Sequence, residues 1–238
     1  MKVLYIIYFI LFLLVTLYSC KKDELSGETT IVEGVLRDDV SKEPIPGVVI
    51  LVDGVKTSSG MGIITDGMRK SLGQTTTDQA GKFKMKLKVF DKADRLQFFI
   101  NPGGNKEGFV DRTMDIDLID LNKNVTNTMN FTLSPTAFLK IKFKNLNPVS
   151  DLDFFYFGWY SIGSGVPKGV IKRENCGTVQ ASEALTWTGK DVCGTAMIET
   201  IAEQPTTVYW TVKKGGVIKE YSKSVSISRG VNEFDLNY

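Results

Sequence analysis

The sequence contains no histidine, which removes the side chain most used as a general base and as a metal ligand near neutral pH. A Ser-His-Asp triad cannot be assembled, and neither can an HExxH zinc site. No GxxxxGK[ST] run is present, so the phosphate cradle of P-loop enzymes is missing. Charge of one sign is scarce too: 29 Lys and Arg stand against 27 Asp and Glu, a formal net charge of +2. Nucleic-acid binding wants a strongly basic face, so no nucleic-acid partner is expected. Cysteine is limited to three residues with no CxxC pair, and no metal or other cofactor is expected. Beyond the N-terminus no window carries a sustained 3.6-residue apolar stripe with caps, so helices are not expected either.

What remains is an ordinary folded composition, 42% hydrophobic and 24% charged. Its 238 residues suit one large or two ordinary domains. Met1-Lys2 precedes an apolar run from Val3 to Val15, which closes at Thr16-Leu17-Tyr18-Ser19-Cys20. The run is shorter than the roughly 20 apolar residues of a membrane span. It stops at small residues and a cysteine, as an export signal does. Leu17-Tyr18-Ser19-Cys20 resembles the lipobox of bacterial lipoproteins, with Tyr18 bulkier than is usual there. The resemblance implies that residues 1–19 are removed as a signal peptide and that Cys20 carries a diacylglyceryl group. At about 0.8 kcal/mol per buried CH₂, such chains hold a protein on its membrane. The competing reading is an uncleaved signal anchor with an incidental cysteine.

Lys21-Lys22-Asp23-Glu24 follows and resembles the short acidic export signal of Bacteroidetes lipoproteins. That resemblance implies an outer-membrane, lipid-anchored location on the cell surface, with residues 20–29 as a tether. A tether charged for no particular purpose is the alternative. With Cys20 lipidated, Cys176 and Cys193 have one possible pairing, and an oxidising compartment favours a disulfide. A bridge of this span restricts the unfolded chain by about 3 kcal/mol. A thiol or metal site is the weaker alternative, since no CxxC or His accompanies either residue.

From about Thr30 the chain reads strand, turn, strand. Phe83, Met85, Leu87 and Val89 alternate with Lys84, Lys86 and Lys88, and Leu139, Ile141 and Phe143 alternate with Lys140, Lys142 and Lys144. Further strands are expected at 31–36, 48–52, 96–100, 129–133, 154–160, 195–201, 208–212, 221–227 and 234–238, with Lys214-Gly215-Gly216 as a hairpin turn. The fold class is all-β. Two β-sandwich domains are expected, over residues 30–135 and 136–238, with the boundary near Ser134-Pro135-Thr136.

Within the first of these the order of features is specific. Glu33-Gly34-Val35 lies on the opening strand, Pro44-Ile45-Pro46-Gly47-Val48 forms a turn, and Thr77-Asp78-Gln79-Ala80-Gly81-Lys82-Phe83 leads into the alternating strand. Asp78 can accept from backbone N–H groups two residues on, and Gly81 can take the left-handed conformation that turns the chain. This order resembles the carboxypeptidase regulatory-like domain, a transthyretin-like seven-stranded sandwich of Bacteroidetes surface lipoproteins and transporters. The resemblance covers a little under half of the mature chain and implies an accessory scaffold without catalytic residues. The second half is similar only to a generic immunoglobulin-like sandwich. A long stretch from Lys56 to Gly73 departs from the family, where a short turn is usual. Loops of that length are uncommon unless functional.

Candidate chemistry is thin. Asp115, Asp117 and Asp120, or Asp151 and Asp153, could pair as acids, and the first three could hold a calcium ion. They carry no EF-hand glycine, and the wet face of a strand is their simpler place. Ser71 beside Lys70 and Ser224 beside Lys223 read as ordinary neighbours. In the long loop, Met61, Ile63, Ile64 and Met68 offer apolar contact area to a partner, or fold back on their own domain. Phe154-Phe155-Tyr156-Phe157-Gly158-Trp159-Tyr160 puts aromatics on both faces of one strand. One set is core. The other is buried between the domains, or exposed for stacking on sugars or on a protein. Trp159 and Trp187 are candidate binding residues, Trp187 sitting either on the disulfide or on a binding rim. A non-enzymatic surface lipoprotein acting as a protein-interaction or scaffold module is the expected function. Polysaccharide capture is the alternative, so the partners are the membrane through Cys20 and an unidentified protein or glycan.

Overall fold

Period-2 patterning becomes strand across most of the chain. A computed structural model describes residues 27–60, 63–178 and 185–238, with the backbone alone described at 59, 60 and 63–65. The first eight strands are β1 (Thr29–Asp38), β2 (Val49–Gly60), β3 (Ile63–Thr76), β4 (Lys82–Lys88), β5 (Arg95–Ile100), β6 (Arg112–Asp117), β7 (Thr126–Thr128) and β8 (Phe131–Leu133). Eight more follow: β9 (Thr136–Lys144), β10 (Phe154–Ser161), β11 (Val170–Asn175), β12 (Thr186–Thr188), β13 (Cys193–Ile201), β14 (Thr206–Lys214), β15 (Val217–Val225) and β16 (Gly230–Asn237). Single 3-10 turns at Pro102–Gly104 and Leu118–Asp120 are the helical segments among the described residues. No described helix is long and apolar enough to cross a membrane.

The strands form four sheets, and the fold is an all-β sandwich architecture. One pair of sheets is β4-β1-β7, with β8 also on β1, and β3-β2-β5-β6. In β4 the alternation buries Phe83, Met85 and Leu87 and leaves the lysines in water. Antiparallel pairing sets Val32 of β1 opposite Met85. Phe131 stacks on Phe83 at 5.3 Å between ring centroids and lies 5.2 Å from Phe98 of the facing sheet. The second pair is β12-β10-β14-β15 and β11-β13-β9-β16. Leu139, Ile141 and Phe143 of β9 face Phe155 and Phe157 of β10 in a separate cluster. Each fully buried side chain of this size contributes about 1.5–3 kcal/mol. Cluster membership passes from the first core to the second between Leu133 and Ala137, where the sequence carries Ser134-Pro135-Thr136.

Polar contacts stitch the two halves at that point. Asp38 is buried and accepts from the backbone N–H groups of Val40 and Ser41 and from the Arg229 guanidinium at 2.9 Å. Burial pushes its carboxyl up, but these donors together outweigh burial and hold it below the usual carboxylate range. Ser134 Oγ bonds Asp39 and accepts from the Ser164 N–H at 2.6 Å.

The turns form as their residues require. Asp78 Oδ1 accepts from the N–H groups of Ala80 and Lys82 at 2.9 and 2.8 Å, and Gly81 has φ +68°. Gly215 and Gly216, both with positive φ, join β14 to β15 in a two-residue hairpin of the kind whose twist suits antiparallel strands. Cys176 and Cys193 form the disulfide, with Cα atoms 5.1 Å apart. The bridge extends the β11–β13 ladder, where Asn175 faces Gly194 and the Cys176 N–H donates to the Cys193 carbonyl at 3.0 Å.

The 56–73 stretch is not a loop. Its described backbone is a continuation of β2 and β3, which stay paired out to Gly60 and Ile63. Beyond Val55, β2 has no partner except β3, because its pairing with β5 ends at Arg95. The result is a two-stranded ribbon in which Ser58 and residues 66–71 are exposed. With successive described residues exposed on both faces, no period-2 pattern marked this part as strand. Asp94 accepts from the Thr57 N–H at 2.7 Å, and Asp66 pairs with Arg69 and Arg95, fixing the ribbon's base.

Candidate interaction surface

Strand β10 decides which aromatics are available. Phe155 and Phe157 point into the core opposite Val212 and Trp210 of β14. Side chains alternate along a strand, so Tyr156, Gly158 and Tyr160 look outward, opposite Thr211, Tyr209 and Thr207. Gly158 lets the Tyr209 ring lie across the strand, since a Cβ there would collide with the phenol. Tyr156 and Tyr209 stand 6.1 Å apart between centroids with their hydroxyls at 3.5 Å. That hydrogen bond, helped by partial burial, raises the Tyr156 phenol above its ordinary value. The hairpin brings Glu220 and Ser222 of β15 opposite Thr211 and Tyr209.

Two shallow depressions sit on this outer face. One, of about 480 Å³, has Tyr156, Tyr209, Thr211, Glu220 and Ser222 among its walls. The other, of about 410 Å³, is lined by Leu152, Phe154, Thr188, Thr211, Lys213 and Ile218. Thr211 belongs to both, so the face is continuous. Leu152, Ile218 and Tyr160 are 78%, 61% and 57% exposed, which is high for large apolar side chains. Strand β15 closes the sheet at this side, pairing with β14 alone. Its Lys219, Glu220 and Lys223 put charge on that edge, a common guard against indiscriminate strand pairing.

The residues singled out from sequence separate into distinct groups. Cys20 and Met61 lie outside the described residues. Ile63 and Ile64 are strand residues of the ribbon, paired with Gly60 and Ser59. Met68, on the same ribbon opposite Lys56, is 49% exposed. Trp187 is not on a rim. It is 2% exposed, packs 4.6 Å from Phe143 and 5.6 Å from Phe157, and its Nε1–H donates to Asn175 Oδ1 at 3.4 Å. Trp159 is half-buried against the same core. Both tryptophans therefore serve packing, because a short strand and the alternation of β10 turn them inward. The outward set of the aromatic strand is Phe154, Tyr156 and Tyr160, of which Tyr156 meets Tyr209 of the neighbouring strand and Tyr160 is exposed. Sequence reasoning missed Tyr209 and Ile218. Their signal was register: both lie on strands whose partners across the ladder look outward.

The acids do not gather. Asp115 bonds Gln97 at 2.8 Å and lies 3.7 Å from Arg95, and Asp117 and Asp120 are exposed. Asp151 is exposed and pairs with Lys190 at 3.7 Å, whereas Asp153 is buried in a turn. Among the described residues no group of Cys, Asp or Glu is placed to hold a metal ion.

Comparison with protein-family models finds no match, and comparison with curated protein sequences finds none. Among solved structures the chain is similar to 3-chlorocatechol 1,2-dioxygenase from Rhodococcus opacus 1CP, at 16% identity and a TM-score of 0.30. That likeness covers 48% of this chain and 62% of the other, so less than two thirds of the dioxygenase is spanned. The Bacillus anthracis TIE protein is similar at 13% identity and a TM-score of 0.30, over 88% of this chain and 34% of that one. The shaft pilin SpaA from Lactobacillus rhamnosus GG is similar at 10% identity and a TM-score of 0.31, covering 87% of this chain and 97% of the pilin.

Proposed function

We propose that this chain is a non-enzymatic lipoprotein, anchored in the outer membrane through Cys20, that engages a protein partner at the cell surface. Two sandwich modules form its body: residues 30–135, resembling a carboxypeptidase regulatory-like domain, and residues 136–238. The observation that carries the reading is the outer face of the β12-β10-β14-β15 sheet, where Tyr156, Tyr160, Tyr209, Leu152 and Ile218 make an aromatic and aliphatic surface. Tyrosine suits such a role, since its ring supplies contact area at little entropic cost and its hydroxyl tolerates water. The test is a photo-crosslinking residue at position 209, compared on intact cells with the same residue at Lys86, on the outer face of β4. A discrete adduct from 209 alone supports the reading; equal adducts from both positions refute it. Mass spectrometry of the N-terminal peptide checks the anchor, which requires an acylated Cys20.

Glycan capture is the second reading, favoured by the Tyr156–Tyr209 pair with Thr211, Glu220 and Ser222 beside it. Rings for stacking and polar groups for sugar hydroxyls then share one depression. Trp210 lies at that depression, so its fluorescence should shift on adding the right oligosaccharide. A flat response across a broad panel removes this reading and leaves the protein partner.

A further inference from the structure

At the end of β14 away from Thr206, three polar side chains meet in the second half. Asn145 follows β9 directly, Asp153 precedes β10, and Lys214 is the last residue of β14. Asn145 and Asp153 are 6% and 1% exposed. The Asn145 carboxamide is held from both sides: its Oδ1 accepts from Lys214 Nζ at 2.7 Å, and its Nδ2 donates to Asp153 Oδ2 at 3.2 Å. Asp153 is itself fixed by the Val149 N–H at 2.8 Å, the Ser150 N–H at 3.0 Å and Ser150 Oγ at 3.3 Å. Lys214 also donates to the Asn147 carbonyl at 2.9 Å and lies 4.8 Å from the Tyr238 ring, which stacks on Phe155 of the core.

An amine on the carbonyl side of a carboxamide and a carboxylate on its nitrogen side are the two groups that amide exchange needs. The amine supplies the nucleophile. The carboxylate can carry a proton to the leaving nitrogen. Fixed approach at this range replaces the bimolecular encounter that makes amide exchange slow in water. Burial favours the uncharged amine, pulling the Lys214 pKa down against the opposing charge of Asp153.

We propose that Lys214 and Asn145 join in an intramolecular isopeptide bond with Asp153 as proton carrier. The ammonium first loses one proton to solvent. The lone pair of neutral Nζ then attacks Asn145 Cγ, and the carbonyl π electrons move onto Oδ1. As they return, the Cγ–Nδ2 bond breaks. Asp153 passes a proton from Nζ to Nδ2, which leaves as ammonia. One amine and one primary amide give one secondary amide and ammonia, and no oxidant or other reactant is consumed. The bond would tie β9 of one sheet to β14 of the facing sheet across a sequence separation of 69 residues. This does not depend on what the tyrosine face binds.

The experiment is the intact mass of the purified, detergent-solubilised chain after reduction, followed by a peptide map. The expected mass is lower than that of the acylated sequence by one ammonia, with a branched peptide joining residues 145 and 214. Lys214→Arg, which keeps the charge but lacks a nucleophilic amine, should recover the full mass. Asp153→Asn should form the bond more slowly than the wild type. A full mass in the wild type after prolonged incubation in mildly alkaline buffer overturns the proposal. So does a loss of ammonia that persists in Lys214→Arg, because it then reports a succinimide at an asparagine. Cross-linking of Asp153→Asn at the wild-type rate removes the role given to Asp153.

Discussion

Replacing Trp187 by alanine tests the division of labour among the aromatics. The indole is 2% exposed and sits among Phe143, Phe155 and Phe157, with centroids 4.6, 5.5 and 5.6 Å away. Truncating a side chain so enclosed removes its transfer free energy and leaves a void that these rings cannot fully close. The expected cost is about 3–5 kcal/mol. For a chain of this size that corresponds to about 2–4 °C of melting temperature per kcal/mol. The two hydrophobic clusters are separate, so the loss should fall on the transition of the second half if the halves melt apart. Urea unfolding followed by circular dichroism measures it, and native fluorescence should lose a blue-shifted contribution. A binding-rim tryptophan would behave oppositely, with stability unchanged and ligand affinity lost. A cost below about 1 kcal/mol would therefore refute the packing role.

Four other outcomes are expected. Cys176→Ser with Cys193→Ser should lower stability by about 3 kcal/mol, the loop-closure value for a separation of 17 residues; denaturant midpoints that coincide with the wild type would contradict it. Gly81→Ala should cost more than about 1 kcal/mol, since φ is +68° and the added carbon would lie 2.6 Å from the Leu36 carbonyl. Calorimetry with no shift would mean that the turn relaxes freely. Because the folded Asp38 carboxyl titrates below its unfolded value of about 3.8, its contribution is present above that value and is lost as pH falls through the depressed one. Arg229→Ala should lose less stability over that acid interval than the wild type, and parallel stability–pH curves would remove the Arg229 contact from the account. Tyr209→Ala should change stability by less than about 1 kcal/mol while abolishing the adduct at the tyrosine face; retained partner capture would move the interaction elsewhere.

Local chemistry was legible in the chain. Alternating Lys and apolar residues over 82–89 and 139–144 could only be half-buried strands, and they are. Asp78 and Gly81 announced their turn, because a short carboxylate and a residue without Cβ are what that backbone requires. Gly215-Gly216 announced the hairpin, and two remaining thiols left one pairing. The 56–73 ribbon was hidden for the converse reason: its residues 66–71 are exposed in succession, so no alternation of polar and apolar residues is there to read.

Long-range choices were settled only by packing. Residues 154–160 are aromatic on both sides, and period-2 alternation is symmetric between faces. Which side became core depended on what β9 and β14 presented to it. Trp187 could not be placed from sequence, because burial follows from what surrounds a short strand and not from its own three residues. The meeting of Asn145, Asp153 and Lys214 likewise needs the ends of β9 and β14 and the start of β10 to lie side by side. A contact spanning 69 residues leaves no local pattern. The chain alone thus set the alternating strands, the marked turns and the one available disulfide, all of which are short-range or forced. Facing and convergence came from closing two sheets over each core.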